Sequence, residues 1–127
     1  MSWMQGLLWI GDLITLVILT LVGFATHSQL DAGIQRMLST LIPMLVAWLV
    51  AALPIGALRL ETARDFRQLW RPGWAMFMAG PLAAILRGLI INRPVAPIFA
   101  LVLAGSGVIA IFIWRGVFAF LAARLPK

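Results

Sequence analysis

Few side chains in this sequence could carry out chemistry. The chain has no cysteine and a single histidine, His27, and its acidic residues are Asp12, Asp31, Glu61 and Asp65. Without a thiol there is no thiolate metal site and no thiol nucleophile. One histidine and four scattered acids are too small a set for most hydrolytic or metal-dependent reactions. We therefore expect no metal, no cofactor and no enzymatic activity.

The composition is that of a membrane protein. Of the 127 residues 63% are hydrophobic and 11% charged, and the mean hydropathy is +1.04. These values lie outside the range of soluble globular domains and predict one transmembrane domain over residues 1–127. In a soluble protein the net charge of +6 would suggest nucleic acid. Beside apolar spans, basic residues instead set orientation and meet anionic lipids, so we expect a lipid bilayer with anionic lipids and no nucleic acid as partner.

Four apolar stretches approach the length of about 20 residues that a helix needs to cross a bilayer. They cover residues about 7–26, 37–58, 73–91 and 95–115. We predict an all-α polytopic membrane protein in which the four transmembrane helices form two antiparallel hairpins. Small residues recur at every fourth position of the third span and again in the fourth, and they would let helices approach closely. These helix-packing residues are Gly80, Ala84 and Gly88, with Ala100 and Ala104 opposite.

The two predicted hairpins are joined by the most highly charged stretch of the chain. Thr62 and Asp65 fit a capping box at a helix start, and Phe66 and Trp70 then fall on one helical face. This pattern predicts a short amphipathic interfacial helix over about residues 62–71. Its interfacial basic patch would consist of Arg64, Arg67 and Arg71. The patch would anchor the chain at lipid headgroups or dock on an acidic surface of a partner.

Basic residues are unequally divided between the two predicted sides of the membrane. One side would hold Arg59, Arg64, Arg67, Arg71, Arg115, Arg124 and Lys127. The other side would hold only Arg36 and Arg93. Because positive charge is retained on the cytoplasmic side, we expect both termini to be cytoplasmic. The expected location is the inner (plasma) or photosynthetic membrane of a prokaryote.

This orientation suggests two polar groupings inside the membrane. Asp12 and Arg115 would lie at similar depth, where they could form a structural ion pair or serve transport and proton coupling. Arg87 would lie toward the outer side with His27 and Asp31. Arg87 could anchor the helix by reaching the interface, or it could contact an anionic headgroup, a ligand carboxylate or a partner subunit. His27 is expected to be a polar turn residue, with a metal or chlorin ligand as the alternative.

Short motifs along the chain point to a family. They are Gly11-Asp12-Leu13, Gly23, His27-Ser28, Pro43, Ala47-Trp48-Leu49, Pro81, Leu86-Arg87 and Trp114-Arg115. With these motifs the sequence resembles small prokaryotic four-span membrane proteins grouped as the domain of unknown function three-zero-five-four. The resemblance covers most of the chain and implies four helices and a shared polar set of Asp12, His27, Arg87 and Arg115. It implies no activity, and the arginine-rich connection looks longer and more basic than the family pattern.

Three functions are compatible with these features. The first is a non-catalytic accessory subunit or assembly factor of a larger photosynthetic or respiratory membrane complex, whose partners would be other membrane-protein subunits or further copies of the chain. The alternative is a small oligomeric proton-coupled transporter that uses Asp12. A lipid-binding or lipid-modifying enzyme is the third. Arg87 could hold a headgroup, but no acid–base pair or nucleophile accompanies it.

Overall fold

The computed structural model describes residues 3–26, 34–92 and 97–124. These residues form helices without any strand: α1 (Trp3–Thr26), α2 (Ile34–Ile55), the short α3 (Leu60–Ala63), a 3-10 turn (Phe66–Gln68), α4 (Trp70–Ile91) and α5 (Pro97–Ala122). Four of the helices are long and apolar enough to cross a membrane, judged by length and composition. The predicted all-α fold with four membrane-spanning helices is confirmed, and it indicates an integral membrane protein.

The four long helices are arranged in chain order around the bundle. α4 packs most extensively, against α2 on one side and α5 on the other, whereas α1 makes smaller contacts with α2 and α5. The main core lies between α2, α4 and α5 and includes Met44, Trp48, Met76 and Ile111. The largest contact of α2 is thus with α4, across the central connection, rather than with α1.

Small residues allow α4 and α5 to approach closely at one point. A Cβ atom added to Gly80 would lie 2.6 Å from the Cα and 2.7 Å from the N of Ala104, so no side chain fits between the two backbones there. Ala84 and Gly88 are also buried, whereas Ala100 is half-buried. The contact between Gly80 and Ala104 is of the kind that small-residue repeats permit in membranes.

The central connection differs from the single helix predicted over residues 62–71. Thr62 lies inside α3, which ends at Ala63, and a separate 3-10 turn begins at Phe66. Asp65, in an extended conformation, accepts a hydrogen bond of 2.9 Å from the backbone N–H of Arg67 and so caps this second turn. The side chain of Asp65 offers the backbone an alternative to helical hydrogen bonding, which explains why the helix is interrupted here.

One end of the bundle gathers the start of α1, the end of α2, the central connection, the start of α4 and the end of α5. Hydrogen bonds from Gln5 to the Leu58 carbonyl and from Arg64 to the Ala122 carbonyl join these segments. We call it the basic end, because six described arginines lie on these segments. They are Arg59, Arg64, Arg67, Arg71, Arg115 and Arg124.

Candidate functional site

A buried ion pair joins α1 to α5 near the basic end. Asp12 Oδ1 lies 2.8 Å from Arg115 Nε, and Asp12 Oδ2 lies 2.8 Å from Arg115 Nη2. The two residues are only 3% and 1% exposed. The structure therefore brings together the two residues that the sequence analysis paired, in the bidentate geometry that gives arginine–carboxylate contacts their strength.

Neighbouring groups add further hydrogen bonds to this pair, so that every side-chain nitrogen and oxygen of the two residues has a partner. Trp114 Nε1 donates to Asp12 Oδ1 at 3.0 Å, and Arg115 Nη1 donates to the Ala57 carbonyl at 2.7 Å. The Arg115 guanidinium also lies 5.7 Å from the centre of the Trp48 ring. A buried ion pair offsets its desolvation only when such further bonds are present. The pair thus links α1, α5 and the segment after α2.

The position of the Trp114 ring depends on Gly11. A Cβ atom at residue 11 would overlap the six-membered part of the Trp114 ring. Because Gly11 directly precedes Asp12, the ring can lie flat against α1 while its N–H reaches the carboxylate. Thr15 donates its hydroxyl to the Gly11 carbonyl at 2.7 Å. The neighbouring residues Gly11 and Asp12 of α1 therefore contact the neighbouring residues Trp114 and Arg115 of α5.

Side chains from α1 and α4 bind carbonyl groups at the end of α2 and just beyond it. Arg71 Nη1 donates to the Ile55 carbonyl at 2.6 Å, and Trp9 Nε1 donates to the Leu58 carbonyl at 3.3 Å. The last carbonyl groups of a helix have no partner within the helix and carry partial negative charge. Positively charged and N–H donor side chains therefore stabilise this end of α2 and fix the chain as it turns into the connection.

The predicted interfacial basic patch is divided by the fold. Arg64 is half-buried and donates to the Met4 sulfur at 3.1 Å and to the Ala122 carbonyl at 3.2 Å. Arg71 is half-buried on the end of α2, so among the three only Arg67 points outward, with its side chain 93% exposed and 3.8 Å from Asp65. The patch expected from Arg64, Arg67 and Arg71 is not one surface, because carbonyl groups at two helix ends bind two of its members.

Arg87 lies far along α4 from the basic end. Its Nε donates to the Thr40 hydroxyl of α2 at 2.9 Å, and Thr40 is buried. This contact shows that the arginine bridges two helices. His27 and Asp31 lie outside the described residues, so the grouping of Arg87 with them remains a prediction.

The chain matches one family over most of its length. The family is described as "Protein of unknown function (DUF3054)", and the match covers residues 9–118. The chain belongs to this family. No curated protein and no solved structure matches it. The resemblance seen in the sequence is confirmed, and the matched region of this DUF3054 protein contains Asp12, Arg87 and Arg115.

An apolar groove runs beside the ion pair in this DUF3054 protein. It lies between α1 and α2 and has a volume of about 400 Å³. The residues that line it include Trp9, Asp12, Leu13, Trp48 and Leu58. Within the described parts of the chain, no three His, Cys, Asp or Glu side chains are placed to share a metal ion. The groove therefore offers an apolar surface next to the buried ion pair.

Sequence reasoning missed several partners of the site. Trp114, Trp48, Gly11 and the Ala57 carbonyl all contact or position the ion pair. A signal for two of them was present, since a glycine precedes Asp12 and a tryptophan precedes Arg115. Nothing in the sequence pattern could have indicated the Ala57 carbonyl, because its availability depends on where α2 ends.

Proposed function

We propose that this protein is a non-catalytic accessory subunit or assembly factor of a larger membrane complex, photosynthetic or respiratory. The observation that carries the proposal is that the polar core is closed. Both carboxylate oxygens of Asp12 and all three side-chain nitrogens of Arg115 are bonded within the chain. Every buried side-chain polar atom of the described residues has a partner. A site of turnover keeps polar groups available to substrate, whereas a closed set holds helices in place.

The outer surface supports lateral packing against other proteins. Trp70, Trp74, Phe77 and Phe112 are exposed around a shallow cavity of about 250 Å³ between α4 and α5. Trp74 and Phe77 contact each other edge to face, with ring centres 5.6 Å apart. Within a bilayer, apolar surfaces associate through close packing rather than through exclusion of water. A concave surface lined by aromatic side chains could pack closely against a complementary surface of another membrane protein.

The proposal includes an orientation with both termini in the cytoplasm of a prokaryote, in the inner or photosynthetic membrane. It is supported by the concentration of arginine at the basic end, since positive charge is retained on the cytoplasmic side. Reporter fusions at the C-terminus would test it. A reporter that works only in the cytoplasm should be active, and activity of a reporter that works only outside would contradict the orientation.

Co-purification tests the main proposal. The native membrane is extracted in mild detergent through a C-terminal tag, and the product is separated on a native gel and identified by mass spectrometry. We expect a large assembly of fixed composition containing this chain. Recovery of the chain only as a monomer or as a small homo-oligomer, over several detergents, would overturn the accessory function.

The groove beside Asp12 favours a second candidate, a small oligomeric proton-coupled transporter. Asp12 is among the residues that line a groove of about 400 Å³, and a buried carboxylate there could couple proton binding to the transport of a hydrophobic cation. Proteoliposomes with a pH gradient would test this function with hydrophobic cations. Transport that disappears with Asp12→Asn would support it. Because Asp12→Asn also leaves Arg115 buried without its anionic partner, loss of transport counts for this function only in preparations whose circular dichroism spectrum matches that of the parent protein.

A further inference from the structure

Two arginines converge on the glycine that follows α2. A Cβ atom added to Gly56 would lie 3.2 Å from Arg71 Nη1 and 4.0 Å from Arg59 Nε. Gly56 has a φ of 79°, a left-handed conformation that glycine adopts readily, so the glycine both permits the turn and leaves room for the two side chains. Two positive groups are thereby held over the same small residue.

No carboxylate of the described residues forms an ion pair with either of these arginines. Within residues 3–26, 34–92 and 97–124, the ion pairs join Arg67 to Asp65 and Arg115 to Asp12. Arg71 uses its Nη1 on the Ile55 carbonyl and its Nε on Gln68, and its Nη2 makes no hydrogen bond to a described residue. The exposed Arg59 is bonded to no described residue through its side chain. An anion between the two would remove their mutual repulsion.

The surroundings of the two arginines fit a lipid. Trp70 is 48% exposed and stacks with the Arg71 guanidinium at 4.8 Å, and tryptophan at such a position marks the headgroup level of a bilayer. An apolar groove of about 510 Å³ begins at Ile55 and runs between α2 and α4 past Met78. The carbonyl of Ile55 is the group that Arg71 binds. The cationic site and the groove therefore meet at one residue.

We infer that this corner of the protein binds one anionic phospholipid. Its phosphate group contacts Arg59 and the N–H groups of Arg71 that bind neither Ile55 nor Gln68, and an acyl chain follows the groove between α2 and α4. Basic pockets between membrane helices bind anionic headgroups by this combination of charge and apolar contact. The inference is independent of the accessory function proposed above, since a transporter could carry the same lipid site.

Native mass spectrometry of the purified full chain tests the site. The protein in mild detergent is titrated with phosphatidylglycerol or with phosphatidylcholine of the same acyl composition. We expect one phosphatidylglycerol to be retained in preference to phosphatidylcholine. Arg59→Gln should weaken this binding about tenfold, the loss expected for one charge-assisted contact. The matched control Arg67→Gln removes the same charge from an outward-pointing residue of the same connection and should leave binding unchanged.

Two further arms separate a lipid from a free anion. Met78→Trp should obstruct the groove and weaken retention, whereas Leu101→Trp, on the exposed face of α5, should not. Inorganic phosphate should fail to displace the lipid at equal concentration. Equal losses from Arg59→Gln and Arg67→Gln would overturn the site as diffuse charge attraction, and displacement by inorganic phosphate would overturn the assignment to a lipid. The melting temperature of Arg59→Gln should match that of the parent, because this side chain bonds no described residue.

Discussion

The arginines at the basic end fall into two groups with different roles. The inward group consists of Arg64, Arg71 and Arg115, which are half-buried or buried and donate to backbone carbonyl groups. The outward group consists of Arg59, Arg67 and Arg124, which are exposed. Members of both groups lie within a few residues of each other along the chain.

The difference shows that arginines close together in the sequence of a membrane protein need not have the same role. Inward arginines bind the carbonyl groups that helix ends leave without partners, and so they hold the bundle together at that end. For the outward arginines, which are exposed, we propose action through their charge on lipid headgroups and on orientation. If this division holds, the stability of the folded protein depends on the inward group and not on the outward group.

The largest effect is expected from Arg115→Gln. This change leaves Asp12 buried without its cationic partner and frees the Ala57 carbonyl. Removing one member of a buried pair costs roughly 3–5 kcal/mol, because the remaining charge stays desolvated. Thermal unfolding in detergent, followed by circular dichroism, should show a large fall in melting temperature.

Replacing both members provides the control for this experiment. The double variant Asp12→Val with Arg115→Met removes both charges and replaces them with apolar side chains of roughly similar size. Since an apolar replacement of a buried pair is often close to neutral, its melting temperature should recover part of the loss, although the Ala57 carbonyl and the Trp114 N–H still lose their partners. A single variant that unfolds like the parent protein would show that the pair does not hold α1 to α5.

The next largest fall in melting temperature is expected from a substitution in α1 beside the same ion pair. Gly11→Ala places a methyl group where the Trp114 ring lies, so the ring must move and its bond to Asp12 is lost. Overpacking of this kind costs about 1–3 kcal/mol. The control Gly6→Ala, where a Cβ atom meets nothing within 4 Å, should be neutral or stabilising. Equal melting temperatures for the two variants would contradict the close contact.

The sequence predicted the four spans and their buried ion pair better than it predicted the connection between α2 and α4. Hydrophobic length predicted the four helices, and their depths predicted the Asp12–Arg115 pair, because a charge inside a membrane needs a partner. Which arginines turn inward could not be predicted, since it depends on the position of the carbonyl groups at Ile55 and Ala57. The break at Asp65 escaped prediction because its side chain competes locally with the helix.

A moderate effect is expected from Arg71→Gln. Arg71 belongs to the inward group but forms no ion pair with a described residue. The change removes the bond to the Ile55 carbonyl and the stacking on Trp70. Hydrogen bonds to charged groups contribute about 1.5–3 kcal/mol, and partial exposure places this one near the lower value. The melting temperature should fall by less than for Arg115→Gln. A fall in melting temperature as large as that of Arg115→Gln would mean that the end of α2 depends on Arg71 as much as on the buried pair.

The smallest effect is expected from Arg67→Gln, which removes a charge from the outward group. Its side chain is 93% exposed, and its nearest acid, Asp65, lies 3.8 Å away in solvent. Exposed ion pairs contribute little to stability, because water and salt screen them. The melting temperature in neutral detergent should therefore equal that of the parent at low and at high salt. A clear fall that disappears at high salt would place Arg67 among the stabilising arginines, and burial would no longer separate the two groups.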